Sequence, residues 1–361
     1  MGTNDQYTVR AARRPTMADV AKAAGVSRQL VSLILRDVPG PSPETRKRVL
    51  AVAAQLGYQP NSAARLLARR RSQVLGVAFV LRNPFHGDLI ESMYPVAREL
   101  GYDIVLGAHI PRQDETVALE SLLGHQCEAL IVLLATTPAA TLREVAGRVP
   151  SVFFGRRIPG FPGDLIRTDD GDGISQAVRY LAGLGHRSIA HVDGGSGPLP
   201  TERRRAYRRA MKLCGLEDHT WIVQGGLNEE AGQQAGKDLL EAPRMPTAVL
   251  ACNDRSAIGL LYTFRNSGVA VPGDISLVGY DDSHIADLIY VNLTTVRQDA
   301  QQIGELAVRA AIRRIAEPEL APSEAVIKPT LVVRGTTSEP PARQRKPSPP
   351  NLHSPAGEGT P

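Results

Sequence analysis

Arg28 and Gln29, side by side in this 361-residue chain, are residue types that read the edges of DNA bases. Arginine donates two parallel hydrogen bonds to guanine, and glutamine pairs in the same two-point way with adenine. Such a reading requires both side chains at the N-terminal end of a helix that enters the major groove. The neighbouring residues predict that helix and a partner for it. Thr16 and Asp19 have the spacing of a capping box, in which each side chain meets the other's free backbone N–H. Val20, Ala21 and Ala24 follow as an apolar helix face, and Gly25 can adopt the left-handed geometry of a sharp turn. Ser27 can cap the second helix, which opens on Arg28 and Gln29. Two short helices joined in this way form a helix-turn-helix, and the expected chemistry is DNA binding.

The distribution of charge agrees. Residues 1–73 hold 13 Lys/Arg against 4 Asp/Glu, whereas the remaining 288 residues hold 29 against 33. A basic head on a mildly acidic body is the footprint of a polyanion-binding module joined to something else. The length fits two or three domains, and 42% apolar with 22% charged residues is ordinary for a soluble globular protein. Cys127, Cys214 and Cys252 are far apart, odd in number and lack C-x-x-C spacing, so neither a disulfide framework nor a zinc site is expected, and a reducing compartment is. Met1–Thr16 is polar with no signal-peptide core, and no apolar run approaches membrane-spanning length; a cytoplasmic location is the expectation.

The elements that must carry these residues can be read in order. Val38-Pro39-Gly40-Pro41 forces a loop, and Ser42-Pro43-Glu44-Thr45 reads as an N-cap, a proline at the first helical position and an acidic first turn. The third helix is expected to run to Leu56, burying Val49, Ala53 and Leu56, with Gly57 as its stop. Asn61 begins a short helical segment to Ala68, followed by Arg69-Arg70-Arg71, too short to hold in water without DNA or a partner chain. From Val74 the pattern changes. Apolar runs at Val74–Leu81, Asp103–Gly107, Ala129–Leu134, Val152–Phe154, Ile189–Val192, Trp221–Val223, Ala248–Ala251 and Ile275–Gly279 read as strands, with helical stretches such as Asp88–Leu100 and Glu115–Gly124 between them. That alternation predicts parallel sheets with crossover helices, in one doubly wound sheet or in two lobes with a cleft. Such sheets bind ligands at the carboxyl ends of their strands. Residues 337–361 are rich in Pro, Ser and Arg and are expected to form a disordered tail.

Three stretches, in order, resemble the LacI/GalR family of bacterial transcriptional regulators: Thr16–Ser32 with Ser42-Pro43-Glu44-Thr45-Arg46, then Tyr58–Leu67, then Val278-Gly279-Tyr280-Asp281-Asp282 with Thr294-Thr295-Val296-Arg297-Gln298. The likeness covers roughly residues 16–335. It implies a flexible arm (1–15), an all-α helix-turn-helix head (16–60), a hinge helix and linker (61–73), and an α/β effector domain (74–336) of two periplasmic-binding-protein-like lobes. The function implied is that of a sequence-specific transcriptional regulator, a repressor, controlled by a small molecule held between the lobes. The implied partners are a second copy of the chain and near-palindromic double-stranded operator DNA.

The resemblance also nominates residues. Arg28 and Gln29 match the family's readers at the start of the recognition helix, and five positions after Arg28, where many members carry a polar reader, this chain has Leu33. Leucine cannot hydrogen-bond a base edge but can contact a thymine methyl, and Arg36, further along, can reach a phosphate. Thr16, Ser27, Ser32 and Asn61 are expected at phosphates, which position the protein without specifying sequence. In the hinge, Ala64 falls at the DNA, and Leu67 matches the leucine that wedges open the central base step. For the effector, Phe85, His86, Arg156, Arg203, Leu227, Asn253 and Asp254 are expected to line the cleft. One departure bears on the ligand. Sugar-binding members often carry an aspartate where this chain has Gly155, followed here by Arg156-Arg157. A sugar or sugar derivative is the family's commonest choice; the added cations suit a phosphorylated or acidic one, and the departure is equally read as a change of the loop alone.

Two other classes fit less well. A transporter's solute-binding protein would share the cleft but not the basic head. An enzyme on a Rossmann-type sheet would carry G-x-G-x-x-G after the first strand, where this chain has Leu81-Arg82-Asn83-Pro84. No P-loop, H-E-x-x-H or G-x-S-x-G occurs either, so no catalysis, cofactor or metal is expected. The tail has no leucine heptad, so a dimer and not a coiled-coil tetramer is the expected assembly.

Overall fold

The computed structural model describes residues 15–35, 38–58, 71–110, 113–133 and 136–341. The chain divides into two compact units, Met1–Ser72 and Gln73–Pro361. The expected hinge residues Asn61, Ala64 and Leu67, and the expected phosphate contact Arg36, lie outside the described residues.

The first unit contains α1 (Met17–Ala24), α2 (Arg28–Leu35) and α3 (Pro43–Gln55). Its boundaries follow local chemistry. Thr16 Oγ1 accepts the Asp19 N–H at 3.3 Å while the Asp19 carboxylate accepts the Thr16 N–H at 2.7 Å, a closed capping box. Gly25 ends α1 at φ 63° and returns its N–H to the α1 carbonyls, a backbone state that costs glycine little. Ser42 caps α3 with Pro43 in its first turn. Val20, Ala21, Ala24, Val31, Ile34, Val49 and Ala53 form the core of the three helices. Leu56, expected in that core, is 38% exposed. The chain turns at Gly57, also with positive φ, and Tyr58 packs on the core in its place.

The second unit has two six-stranded sheets. The first has the order β11 (Glu324–Ile327), β5 (Asp164–Thr168), β4 (Ser151–Phe154), β3 (Ala129–Val132), β1 (Val74–Val80) and β2 (Asp103–His109), all parallel. On one face lie α4 (Pro84–Glu99) and α11 (Ala300–Ala316), on the other α5 (Glu115–Gly124) and α6 (Ala139–Arg148). The second sheet has the order β12 (Thr330–Val332), β10 (Thr294–Arg297), β9 (Ser276–Asp281), β8 (Ala248–Ala251), β6 (Ile189–Val192) and β7 (Trp221–Val223), with only β12 antiparallel. It is covered by α7 (Asp170–Gly183) and α8 (Pro198–Leu213) on one face and by α9 (Glu229–Glu241) and α10 (Asp254–Asn266) on the other. Helices on both faces explain why β3, β4, β6, β8 and β9 are buried throughout and read as mainly apolar runs.

Of the two arrangements open from the sequence, the two-lobed one is found. The chain passes between the sheets three times: from β5 to α7, from β10 to α11, and from β11 to β12. Close packing of α9 on α10 depends on Gly232 and Gly259, where a Cβ would overlap the carbonyl oxygens of Ser256 and Glu229. Residues 337–341, expected as the start of a disordered tail, are ordered, and the rest of that expected tail lies outside the described residues. Thr337 Oγ1 lies 2.9 Å from the Tyr180 hydroxyl, and the Ser338 N–H donates to Ser276 Oγ at 3.0 Å, so these polar residues are ordered by partners distant in sequence.

Candidate functional site

In the first unit α2 presents one polar edge. Arg28 and Gln29 are exposed, and Ser32 and Leu33 are half-exposed one turn on, while Val31 and Ile34 face the core. Leu33 is half-exposed and is not part of the buried cluster. Ser27 Oγ accepts the Leu30 N–H at 3.1 Å, the cap expected from the sequence. Thr16 differs from the expectation, because its hydroxyl also donates to Asp19 at 2.6 Å and is engaged on both sides by the cap.

In the second unit a cavity of about 80 Å³ lies between the lobes, lined by Asn83, Phe85, His86, Leu133, Phe154 and Gly155 from the first lobe and its edge. Across from them stand Asp170, Arg203, Leu227, Asn253, Asp281 and Gln298. Almost all follow the carboxyl end of a parallel strand, where neighbouring connections leave in opposite directions and open a crevice. Ligand sites usually measure about 300–1,000 Å³, so this cavity is small for one. A larger groove of about 540 Å³ runs beside α7 and α8, but it is open and faced by solvated charges such as Arg179, Arg205 and Arg209. Convergent, buried polar groups make the interlobe cavity the candidate site.

Its polar groups are held from behind. Asn83 caps α4, accepting the Phe85 N–H at 3.2 Å. That cap starts the helix at Pro84, earlier than the sequence suggested, and so places Phe85 and His86 in the first turn. The His86 Nδ1 accepts the Val80 N–H at 3.0 Å, and burial with Arg255 nearby pushes its pKa down to about 3, so the ring is neutral with its proton on Nε2. The Phe85 and Phe154 rings meet at 6.1 Å in a tilted pair. Asn253 caps α10 through Ser256 N–H at 2.9 Å and donates to the Leu227 carbonyl at 3.2 Å. Arg203 is buried, bonded to Asp170 at 3.0 Å and to the Cys252 carbonyl, and lies flat on the Tyr280 ring at 3.7 Å.

Of the residues expected at the effector, Phe85, His86, Arg203, Leu227 and Asn253 line the cavity, and Arg156 and Asp254 do not. The Asp254 carboxylate is fully buried beneath the site, accepting from Ser283 N–H at 2.8 Å and Thr295 Oγ1 at 2.6 Å, with burial pushing its pKa up to about 7. Arg156 turns away to the Thr137 carbonyl at 2.8 Å and lies over the Phe153 ring. Two carboxyl groups line the cavity: Asp170 beside Arg203, and Asp281, which accepts from Gln298 Nε2 at 2.7 Å and stands at φ 119°. Neither was among the residues expected at the effector. The available signal was an acidic residue closing an apolar strand at its carboxyl end.

Comparison with known proteins fits both units. The family described as bacterial regulatory proteins, lacI family, matches residues 16–61, and the periplasmic binding protein-like domain matches residues 178–337. The chain is 34% identical over 334 residues to the HTH-type transcriptional regulator GalR of Escherichia coli K12, covering 90% of this chain and 96% of that one. It is 31% identical to the ribose operon repressor of the same organism, over 89% of this chain and 99% of the other. Among solved structures, the lac repressor dimer bound to operator and the anti-inducer ONPF aligns at 27% identity and a TM-score of 0.77, over 90% of this chain and all of that one. The chain therefore belongs to the lacI family of bacterial regulatory proteins, and it is a DNA-binding transcriptional regulator with a periplasmic-binding-protein-like effector domain.

Proposed function

We propose that this regulator is a repressor that binds a near-palindromic operator as a homodimer and responds to a sugar or sugar derivative held between its lobes. The observation that carries the reading is one chain with two sites of this kind: a recognition helix exposing Arg28 and Gln29, and an interlobe cavity of aromatic and hydrogen-bonding groups. The names of the ribose operon repressor and of the lac repressor bound to operator support it. An exposed apolar stretch supports the dimer: Ile289 is 94% and Tyr290 67% exposed in a turn that Arg265 of α10 ties down through the Tyr290 carbonyl. In this reading the ligand favours one lobe arrangement, and its differential affinity for the two is what changes DNA binding. The hinge residues Asn61, Ala64 and Leu67 would sit at the operator centre, with Leu67 as the wedge. The site does no chemistry, and the protein works in the cytoplasm, on the nucleoid when bound to DNA. No helix among the described residues is long and apolar enough to cross a membrane.

Genome-wide capture of DNA by the purified protein, followed by salt-resolved affinity on the best site, tests this. The expected result is a near-palindromic site with affinity falling steeply with salt. Salt-sensitive binding with no preferred site, or turnover of a sugar, would sink it.

A further inference from the structure

The lobes are joined by three chain crossings and by a carboxylate that belongs to none of them. Asp88 of α4, in the first lobe, accepts the His284 N–H at 3.0 Å and the His284 Nδ1–H at 2.7 Å. His284 stands 196 positions further on and opens a 3₁₀ turn that follows β9 in the second lobe. Neither residue lines the cavity, but each is close to residues that do. Asp88 lies in the turn of α4 that follows Phe85 and His86, and His284 comes three residues after Asp281. Both are fixed from behind. Ser92, one turn beyond Asp88, donates to the Ala300 carbonyl at 2.9 Å, where the chain re-enters the first lobe. Ser283 donates its N–H and hydroxyl to the Asp254 carboxylate at 2.8 and 2.9 Å.

We propose that Asp88 and His284 are positioning residues of the effector domain: a two-point clasp that holds the lobes in the arrangement seen here and breaks when they rotate apart. The reason is geometric. Phe85 and His86 stand on one wall of the cavity and Asp281 on the other. Through these short, anchored connections, a change in their separation displaces Asp88 relative to His284, and the clasp spans that seam. The two side chains are 19% and 62% exposed, so the hold is weak enough to open and close in the native protein. The clasp acts on the equilibrium between lobe arrangements, the quantity on which any ligand of this domain works, without itself facing the cavity.

Pulsed dipolar electron spin resonance on the full chain, without DNA or ligand, tests this. Spin labels are attached at Glu120→Cys in the first lobe and Arg208→Cys in the second, both exposed positions. The background carries Cys127→Ser and Cys214→Ser, keeps the buried Cys252, and is diluted with unlabelled chain so that labels within one copy are read. The parent is expected to show the lobe separation of this structure. Asp88→Ala, which removes both acceptors, is expected to raise the more separated population about fivefold. His284→Ala keeps its backbone N–H and should raise it less. His284→Asn, whose amide N–H can stand in for Nδ1–H, should restore the parental distribution. The proposal is overturned if Asp88→Ala folds and leaves the distribution unchanged, or if His284→Asn is no closer to the parent than His284→Ala. Should Asp88→Ala fail to fold, an unchanged distribution in His284→Ala overturns it equally. Because the distances are read without DNA or ligand, the outcome is independent of the operator and sugar readings.

Discussion

Gln298 donates its amide to Asp281 at 2.7 Å while accepting from the Thr168 hydroxyl at 2.6 Å. Gln298 follows β10 where the chain leaves the second lobe, and Thr168 ends β5 where the chain leaves the first. One side chain therefore joins two of the three crossings and fixes the orientation of the carboxylate that faces the ligand. A ligand that engages Asp281 acts at the place about which the lobes must move. This is a physical link between occupancy and lobe geometry, since a shift at a packed crossing alters discrete contacts.

Burial pushes the Asp281 carboxyl well above the usual carboxylate range, and Asp281→Asn keeps its shape while exchanging an oxygen for an amide donor. A hydrogen bond contributes roughly 0.5–1.5 kcal/mol net, so affinity for the effector is expected to fall by up to about tenfold, as read by calorimetry. Operator affinity without effector should stay within about threefold, because the head does not use this residue. Loss of both together would mean that Asp281 supports the fold and not the ligand.

Arg203 and Asp170 form a buried pair with side-chain exposures of 4% and 10%. Removing one partner leaves an uncompensated charge, at a cost of about 3–5 kcal/mol. Arg203→Met should therefore lower the urea midpoint of the effector domain more than Arg203→Met combined with Asp170→Asn does. An equal or larger loss in the double variant would show that the pair is not what Arg203 contributes.

His86 and His191 are fully buried, and burial pushes their pKa values down to about 3 and about 4. Below pH 6.5 the unfolded chain takes up protons that the folded chain refuses. The stability these groups leave intact above that pH is lost as pH falls from 6.5 through 4. Asp254 acts in the opposite sense: with its pKa raised to about 7, the folded state binds a proton that the unfolded carboxylate releases near pH 4, so its contribution declines as pH rises from 4 to 7. His86→Gln should flatten the fall in melting temperature between pH 6.5 and 4.5 relative to the parent protein. Identical slopes would count against a neutral, buried His86.

Gly259→Ala is expected to destabilise the second lobe, because the new methyl group meets backbone of α9 that cannot swing aside. Overpacking of this kind costs typically about 1–3 kcal/mol. Gly124→Ala, where a Cβ meets nothing within 4 Å, serves as the control in thermal melts. A neutral Gly259→Ala would mean that α9 and α10 can separate freely.

At the head, Arg28→Ala and Gln29→Ala should each cost about 1–3 kcal/mol at the operator and relax preference at one base pair. Non-specific affinity should change far less for Gln29, which carries no charge. Leu67→Ala, by its wedge role, should weaken operator binding more than non-specific binding. Competition assays on the captured site and on random DNA separate these outcomes, and equal losses on both would remove the specific role.

The sequence determined what depends on near neighbours. The Thr16–Asp19 box, the Gly25 turn and the Ser42 cap are contacts within a few residues, so the head could be read from composition and spacing alone. The apolar strand runs were equally plain, because helices on both faces leave little place for polar residues between them. Which polar residues face the cleft was decided by the tertiary structure. Asp254 and Asp281 are both acidic residues at the ends of strands in the second sheet, yet one lies beneath the site with Ser283 and Thr295 while the other lines it. That choice depends on where neighbouring strands and the opposite lobe place their donors, which are distant in sequence. Arg156 shows the same: two residues after the end of β4, it donates to the carbonyl of Thr137, distant in sequence, and not to the cavity. The order of residues 337–341 likewise comes from partners at Tyr180, His186 and Ser276, contacts that only the folded chain brings within reach.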